Sequence, residues 1–212
     1  MKRAFTIIAV ILSFAVQAGD KLPVADWPNK VQPLTVGSQI PNVTLWTGNG
    51  DPVHLSKVAK KRPSVVIFYQ GAWSPFCSDQ LDSLQEIADK LTEIGFQIVA
   101  ISPDSPYKLQ KSRKKKHLNY LLLSDYHLEA SRAFGLAYRL NPEQAKKYKK
   151  KYGAEFRHIK GEKMYNLPVP GAFIIDTDGR IHFQYVNPDF SAQLSSAVLL
   201  EAAKMVAKSI GD

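Results

Sequence analysis

Ser64-Val65-Val66-Ile67-Phe68-Tyr69-Gln70-Gly71-Ala72-Trp73-Ser74-Pro75-Phe76-Cys77 sets the only cysteine of 212 residues between two kinds of hydrophobic pattern. Residues 65–69 are apolar without interruption and are bounded by Pro63 and Gly71, which predicts a strand buried on both faces. Beyond Cys77, Leu81, Leu84, Ile87, Leu91 and Ile94 recur at helical spacing. They predict an amphipathic helix that begins at Ser78 or Asp79 and is stopped by Gly95. Cys77 is thereby expected at a helix N-terminus, where unpaired amide N–H groups and the positive end of the helix dipole favour thiolate over thiol. A free cysteine is also among the most buried residue types, so a packed, inert thiol is the competing reading of the same position.

Working outward, Gln97 to Ser102 reads as a second buried strand, and strand, helix, strand makes a parallel βαβ unit. Upstream, residues 42–47 and 52–55 flank Gly48-Asn49-Gly50-Asp51 as a hairpin, with Ser56 as the cap of a following helix. Downstream come a basic helix over 105–117, a short strand over 120–123, and a helix over 128–134 ended by Gly135. A lysine-rich helix is expected from Asn141-Pro142-Glu143 to Tyr152, then a surface loop to Asn166. Leu167-Pro168-Val169-Pro170 interrupts regular structure. Residues 172–176 and 180–186 form a hairpin across Thr177-Asp178-Gly179, and a last helix covers 191–210. The sum is an α/β fold, an α/β/α sandwich with a mixed central sheet, parallel first and antiparallel at one edge.

A chain of this length with 45% hydrophobic residues can bury one sizeable core. Lys2 and Arg3 before an apolar run from Ala4 to Val16, then Val16-Gln17-Ala18, predict a signal peptide over 1–18. The run falls short of the roughly 20 residues a bilayer demands, so no stable membrane insertion is expected after cleavage. The expectation is an exported chain of the bacterial periplasm, with an extended N-terminal arm over 19–36 carrying Pro23, Pro28 and Pro33, and a domain over 37–212. A single cysteine excludes an intramolecular disulfide. The formal charge of +9 is concentrated in Lys111–Lys116 and Lys146–Lys151, read as solvated helix faces with no nucleic-acid partner. No phosphate loop or Gly-x-Ser-x-Gly elbow is present, and the five histidines have no metal spacing. No metal and no cofactor is predicted.

Several segments at a common spacing now carry a resemblance. Phe68-Tyr69-Gln70-Gly71-Ala72-Trp73-Ser74-Pro75-Phe76-Cys77, Ala100 to Asp104 (AISPD), Leu122 to Asp125 (LLSD), Ala133 to Ala137 (AFGLA) and Val169-Pro170-Gly171-Ala172-Phe173-Ile174-Ile175-Asp176 together resemble the thioredoxin-like superfamily, and within it the AhpC/TSA peroxiredoxin-like (redoxin) family, over residues 37–190. The resemblance implies a thioredoxin-like fold and a thiol-dependent peroxidase with Cys77 as the peroxidatic cysteine and Ser74 bonding both thiolate and peroxide. It also implies backbone N–H groups around Phe76 and Cys77 holding the developing oxyanion, and substrate contacts at Phe76 and Pro170. The partners implied are a peroxide substrate and an external thiol or thioredoxin-like reductant, with a homodimer left open.

The chain departs from the family at three places. Gln70 stands where the motif has proline, Pro170 where the family has arginine, and Ser74 where many relatives have the first cysteine of a Cys-x-x-Cys pair. Pro170 matches the thioredoxins instead, whose proline there is cis and borders the active site. Without a second cysteine, a sulfenate on Cys77 must be resolved by an external thiol, which gives a one-cysteine cycle. The alternative is a redox-inactive or weakly active fold that binds a periplasmic peptide or acidic partner.

Overall fold

The structure is a computed structural model that describes residues 24–154, 156, 158–159, 162–163 and 165–211. The predicted signal segment 1–18 and the first residues of the arm lie outside them. The strands are β1 (Thr44–Trp46), β2 (Pro52–His54), β3 (Ser64–Phe68), β4 (Gln97–Ser102), β5 (Leu121–Ser124), β6 (Ala137–Arg139), β7 (His158–Ile159), β8 (Glu162–Lys163), β9 (Asn166–Pro168), β10 (Gly171–Ile175) and β11 (Ile181–Val186). The helices are α1 (Leu55–Ala59), α2 (Pro75–Glu93), α3 (Pro106–Lys116), α4 (Glu129–Ala133), α5 (Pro142–Tyr152) and α6 (Ser196–Gly211).

One sheet of seven strands, ordered β11-β10-β3-β4-β5-β1-β2, forms the middle layer. Its centre is parallel, with Val65 opposite Ile98 and Val99 opposite Leu121, as expected for runs buried on both faces. The apolar run 65–69, made of β3 and the residue after it, divides by parity. Val65, Ile67 and Tyr69 face the layer that holds α2, α3 and α6, and Val66 and Phe68 face the layer that holds α1 and α4. Leu81, Leu84, Ile87, Ala88 and Leu91 are the buried stripe of α2. Burying each large side chain contributes about 1.5–3 kcal/mol, so α2 is anchored by its packing rather than by helix propensity.

Antiparallel pairing occurs at both sides of the sheet, not at one edge as the sequence reading has it. β10 runs antiparallel to β3, and β1 also joins β5 antiparallel, through the Trp46–Ser124 pair. That second junction rests on one register pair and leaves no periodic trace in the sequence. Three local readings also change. Ser56 lies inside α1, and its hydroxyl donates to Asn42 Oδ1 at 2.9 Å instead of capping. Residues 166–168 form β9, paired with β6, because a two-stranded ribbon tolerates a proline that a central strand does not. The Val169–Pro170 peptide bond is trans, as are all described bonds, which is the intrinsically favoured isomer of an X-Pro bond.

The described part of the arm crosses the second layer and is interrupted by one turn of 3-10 helix at Pro28–Lys30, so it is not extended throughout. Ala25 N–H donates to Ala137 O at 2.9 Å and Arg139 N–H donates to Ala25 O at 2.7 Å, so residue 25 adds a rung beside β6. A third apolar cluster forms there from Tyr138, Leu140, Ala145, Leu167 and Val169, with Trp73 and Tyr148 packed against it. The active-site turn is therefore tied to α5 as well as to α2. Among the described residues no helix is long and apolar enough to cross a membrane.

Candidate active site

Proline is favoured in the first turn of a helix because its missing N–H is one that no carbonyl would accept. Pro75 accordingly starts α2 three residues before the sequence pattern predicts, and Ser74 is its N-cap in extended conformation. Cys77 thus sits in the first turn, still at the dipole's positive end. Ser74 does not spend its hydroxyl on capping the helix backbone. It acts instead on the Cys77 thiol, holding it down against the effect of burial.

Cys77 is only 1% exposed. Burial pushes its thiol above the ordinary value, and the Ser74 hydroxyl together with the backbone N–H groups of Gln70 and Gly71 works against that rise, while the Asp104 carboxylate adds to it. The expected preference for thiolate is therefore overturned in the resting protein: desolvation outweighs the donors gathered around the sulfur. The donors also differ from those expected. They come from the end of the β3 segment, residues 70 and 71, as well as from Ser74.

Gly71 explains why the turn takes this path. Its φ is +139°, a region that side chains rarely adopt, and a Cβ there would stand 2.2 Å from Trp73 Nε1 and 2.9 Å from Asp104 Oδ1. Trp73 and Asp104 close on the glycine from two sides. Asp104 also accepts from Ala72 N–H at 2.8 Å, and its carbonyl accepts from Ser124 Oγ at 2.7 Å. The ends of β3, β4 and β5 are in this way fastened to one another behind the cysteine.

Gln70, at the motif's proline position, is buried and donates from Nε2 to Tyr138 Oη at 3.2 Å. Burial pushes the Tyr138 hydroxyl up, and Cys77 contributes in the same direction. Tyr69 lies on the other side of the cysteine. Its hydroxyl is fully buried and has no hydrogen bond of normal geometry, although Ser102 acts on it, and burial followed by Asp104 pushes it well up. Gln70, Tyr138, Asp104 and Tyr69 are parts of the site to which the sequence reading assigned no role. Asp104 had a signal in its AISPD segment, whereas Tyr138 comes from a distant strand with no local pattern.

Phe76 and Pro170 are less closely joined. Phe76 is 43% exposed, packs edge-on against Phe190 at 5.8 Å between ring centroids, and lines a cleft of about 310 Å³ with Gln80, Gln193 and Leu194. Pro170 lines a smaller neighbouring hollow that shares those three residues. The two are brought to one side of the α2 start without touching the sulfur's hydrogen-bond set. The charged side chain acting on the Cys77 thiol is Asp104, whose carboxylate raises it. Among the described residues no group of three or more His, Cys, Asp or Glu side chains is placed to hold a metal ion.

A sequence model described as the AhpC/TSA family matches residues 36–184. The chain belongs to the AhpC/TSA family. Among its relatives is the peroxiredoxin Bcp of Escherichia coli strain K12, 29% identical over 174 residues that cover 82% of this chain and 98% of that one. A bcp peroxiredoxin of Haemophilus influenzae is 36% identical over 106 residues, 50% of this chain and 68% of that one. In fold, this AhpC/TSA chain is similar to the crystal structure of reduced Prx3 with hydrogen peroxide from Vibrio vulnificus, with a TM-score of 0.66 at 20% identity, covering 80% of this chain and 99% of that one. The α/β/α sandwich with its mixed central sheet is thus the thioredoxin-like fold of the family.

Proposed function

We propose that this protein reduces hydrogen peroxide or organic hydroperoxides at Cys77 through a one-cysteine cycle. It is a thiol-dependent peroxidase, an oxidoreductase, as its family membership implies. The observation that carries the assignment to Cys77 is the sulfur's position in the first turn of α2, with the Ser74 hydroxyl and the N–H groups of Gln70 and Gly71 directed at it. Those donors stabilise the anion once the proton has left. The thiolate attacks the terminal oxygen of ROOH, the O–O bond breaks, and Cys77–SH and ROOH become Cys77–SOH and ROH. With one cysteine in the chain, an external thiol then condenses with the sulfenate and releases water, and a second thiol displaces the mixed disulfide to regenerate Cys77.

Phe76 and Pro170 are assigned to the approach of substrate, because both line the clefts beside the α2 start. Export to the bacterial periplasm belongs to the same proposal and is supported by the pattern of residues 2–18. Fractionation of cells with a cytoplasmic marker tests it, and recovery of the intact chain with that marker overturns it.

The deciding measurement for chemistry is sulfenate trapping after one equivalent of hydrogen peroxide, alongside Cys77→Ser. One trapped sulfenate per chain in the parent and none in the variant is the expected result. Peroxide consumption that survives Cys77→Ser excludes Cys77 as the nucleophile. Because burial holds the thiol above its ordinary value, the rate of sulfenate formation should climb about tenfold per pH unit from pH 7 upward, as the thiolate fraction does. A rate that is flat from pH 6 to 8 contradicts the raised pKa.

A further inference from the structure

The two basic runs of the sequence are separated by some thirty residues, but the start of α3 and the end of α5, the helices that carry them, meet near the active-site turn. Lys108 Nζ on α3 donates to Gly153 O, just past the end of α5, at 3.1 Å. α3 carries six basic residues and no acidic one, and α5 carries five lysines against Glu143. These two helices hold +10, so the rest of the chain, at −1, is nearly neutral. Their charge is not the general colour of the surface but a local feature.

The orientation of α5 ties that feature to the site. Ala145, Tyr148 and Tyr152, at positions i, i+3 and i+7, share one helix face. The Trp73 ring lies 5.5 Å from that of Tyr148 and 6.2 Å from that of Tyr152. Trp73 is four residues from Cys77, so this face of α5 rests on the active-site turn; the exposed Lys149 and Lys151 flank it, and the exposed Lys146, Lys147 and Lys150 lie on the outer side of the same helix. On the far flank, by Phe76, stand the exposed acids Asp79 and Asp189. The approaches to Cys77 are therefore polarised, basic on one side and mildly acidic on the other.

We infer that the edge of α5 carrying Lys149 and Lys151, with Lys108 at the start of α3, is the docking surface for a negatively charged thiol reductant that turns over the Cys77 sulfenate. This rests on the one-cysteine cycle, which obliges every electron pair to come from outside the chain. Peroxide is uncharged and draws no benefit from a field of this strength. An anionic thiol does, because a localised positive potential raises its concentration at the site. In the step concerned, R–SH and Cys77–SOH give Cys77–S–S–R and water, and a second R–SH gives Cys77–SH and R–S–S–R.

The test uses three small thiols of the same skeleton as probes: 2-mercaptoethanesulfonate, 2-mercaptoethanol and cysteamine, anionic, neutral and cationic. Each is mixed with pre-formed sulfenate, and its rate is expressed per thiolate and divided by that of mercaptoethanol with the same protein. The expected order at low salt is sulfonate, then alcohol, then amine, with roughly tenfold between the extremes, collapsing as the Debye length shrinks toward about 3 Å near 1 M salt. In Lys147→Glu/Lys149→Glu/Lys151→Glu, which changes the two lysines flanking the Trp73 face and the one a turn before Lys151, the order should invert, and in the corresponding triple Lys→Gln variant, which avoids new acid pairs along the helix, it should flatten. Equal ratios for all three probes in the parent protein, or a preference that survives both triple variants, overturns the docking surface while leaving the peroxidase intact. A parent protein in which peroxide yields no sulfenate fails earlier and overturns the one-cysteine cycle itself.

Discussion

Cys77 and Asp125 are the same kind of residue in two different settings: each is a buried ionisable side chain at the foot of a helix that follows a parallel strand of the central sheet. Asp125 follows β5 and accepts from Ala130 N–H at 3.0 Å, Ser131 N–H at 2.7 Å and Ser131 Oγ at 2.6 Å. Cys77 follows β3 and is met by Ser74 and the N–H groups of Gln70 and Gly71. Burial still pushes both upward, the carboxyl to about 6. A helix start with three donors is therefore not enough to make a group more acidic once water has been removed. What separates the two is their use. Asp125 satisfies backbone groups that have no other partner, whereas the donors at Cys77 serve an anion that forms during the reaction.

The largest stability effect is expected on the Asp125 side. Asp125→Ala leaves two buried N–H groups at the start of α4 without an acceptor and should cost about 3 kcal/mol at pH 5, read by urea unfolding. Between the ordinary value of 3.8 and about 6, the folded chain keeps a proton on Asp125 that the unfolded chain has lost. Stability should accordingly fall by on the order of 3 kcal/mol as pH rises through that interval. Asp125→Asn, which cannot titrate, should remove this slope from the difference between parent and variant curves. Parallel curves would mean that Asp125 does not carry the proton.

Ser74→Ala tests the other half of the comparison. Its hydroxyl is aimed at sulfur rather than at the helix backbone, so its loss should leave the unfolding midpoint nearly unchanged. Sulfenate formation should fall roughly 100-fold, the size of effect seen when one aimed donor is removed from a developing anion, and its pH profile should move further upward. A variant that lost stability and kept its rate would make Ser74 a cap like Asp125.

How far the sequence reveals these settings depends on whether the signal is local. β4 spans Gln97–Ser102 as predicted, and β3 is shifted by one residue, because uninterrupted β-branched runs bounded by Pro and Gly have few other readings. The start of α2 is displaced because Pro75 looks like part of a turn when only apolar periodicity is followed, although proline in the first turn is itself a helix signal. Cys77 and Ser74 are legible as a pair through the resemblance of their segment to the AhpC/TSA family. Their electrostatic outcome is not, because it depends on burial of Cys77 in a core cluster drawn from the whole fold and on the charge of Asp104, from the segment after β4. The antiparallel β1–β5 junction is likewise set by neighbours far along the chain.

The smallest effect expected is at the Gln70–Tyr138 pair, and it distinguishes a replaceable bond from the irreplaceable ones at Asp125. In Tyr138→Phe the Gln70 amide loses its buried acceptor, and an unmatched buried polar group costs about 1–2 kcal/mol. Gln70→Leu strands the Tyr138 hydroxyl in the same way. Removing both partners leaves no orphan, so Gln70→Leu/Tyr138→Phe should be more stable than the sum of the two single losses by about 1 kcal/mol, measured as the coupling in a double-mutant cycle. Asp125 permits no complete rescue, because only the Ser131 hydroxyl among its partners is a side chain, and the backbone N–H groups of Ala130 and Ser131 remain when it is removed. Gln70 also presents its backbone N–H to Cys77, so the same cycle run on the rate of sulfenate formation shows whether the pair holds the strand end in place. Coupling in stability alone would make the pair a packing feature of the third cluster; coupling in both would make Tyr138 a positioning residue for the donor at position 70.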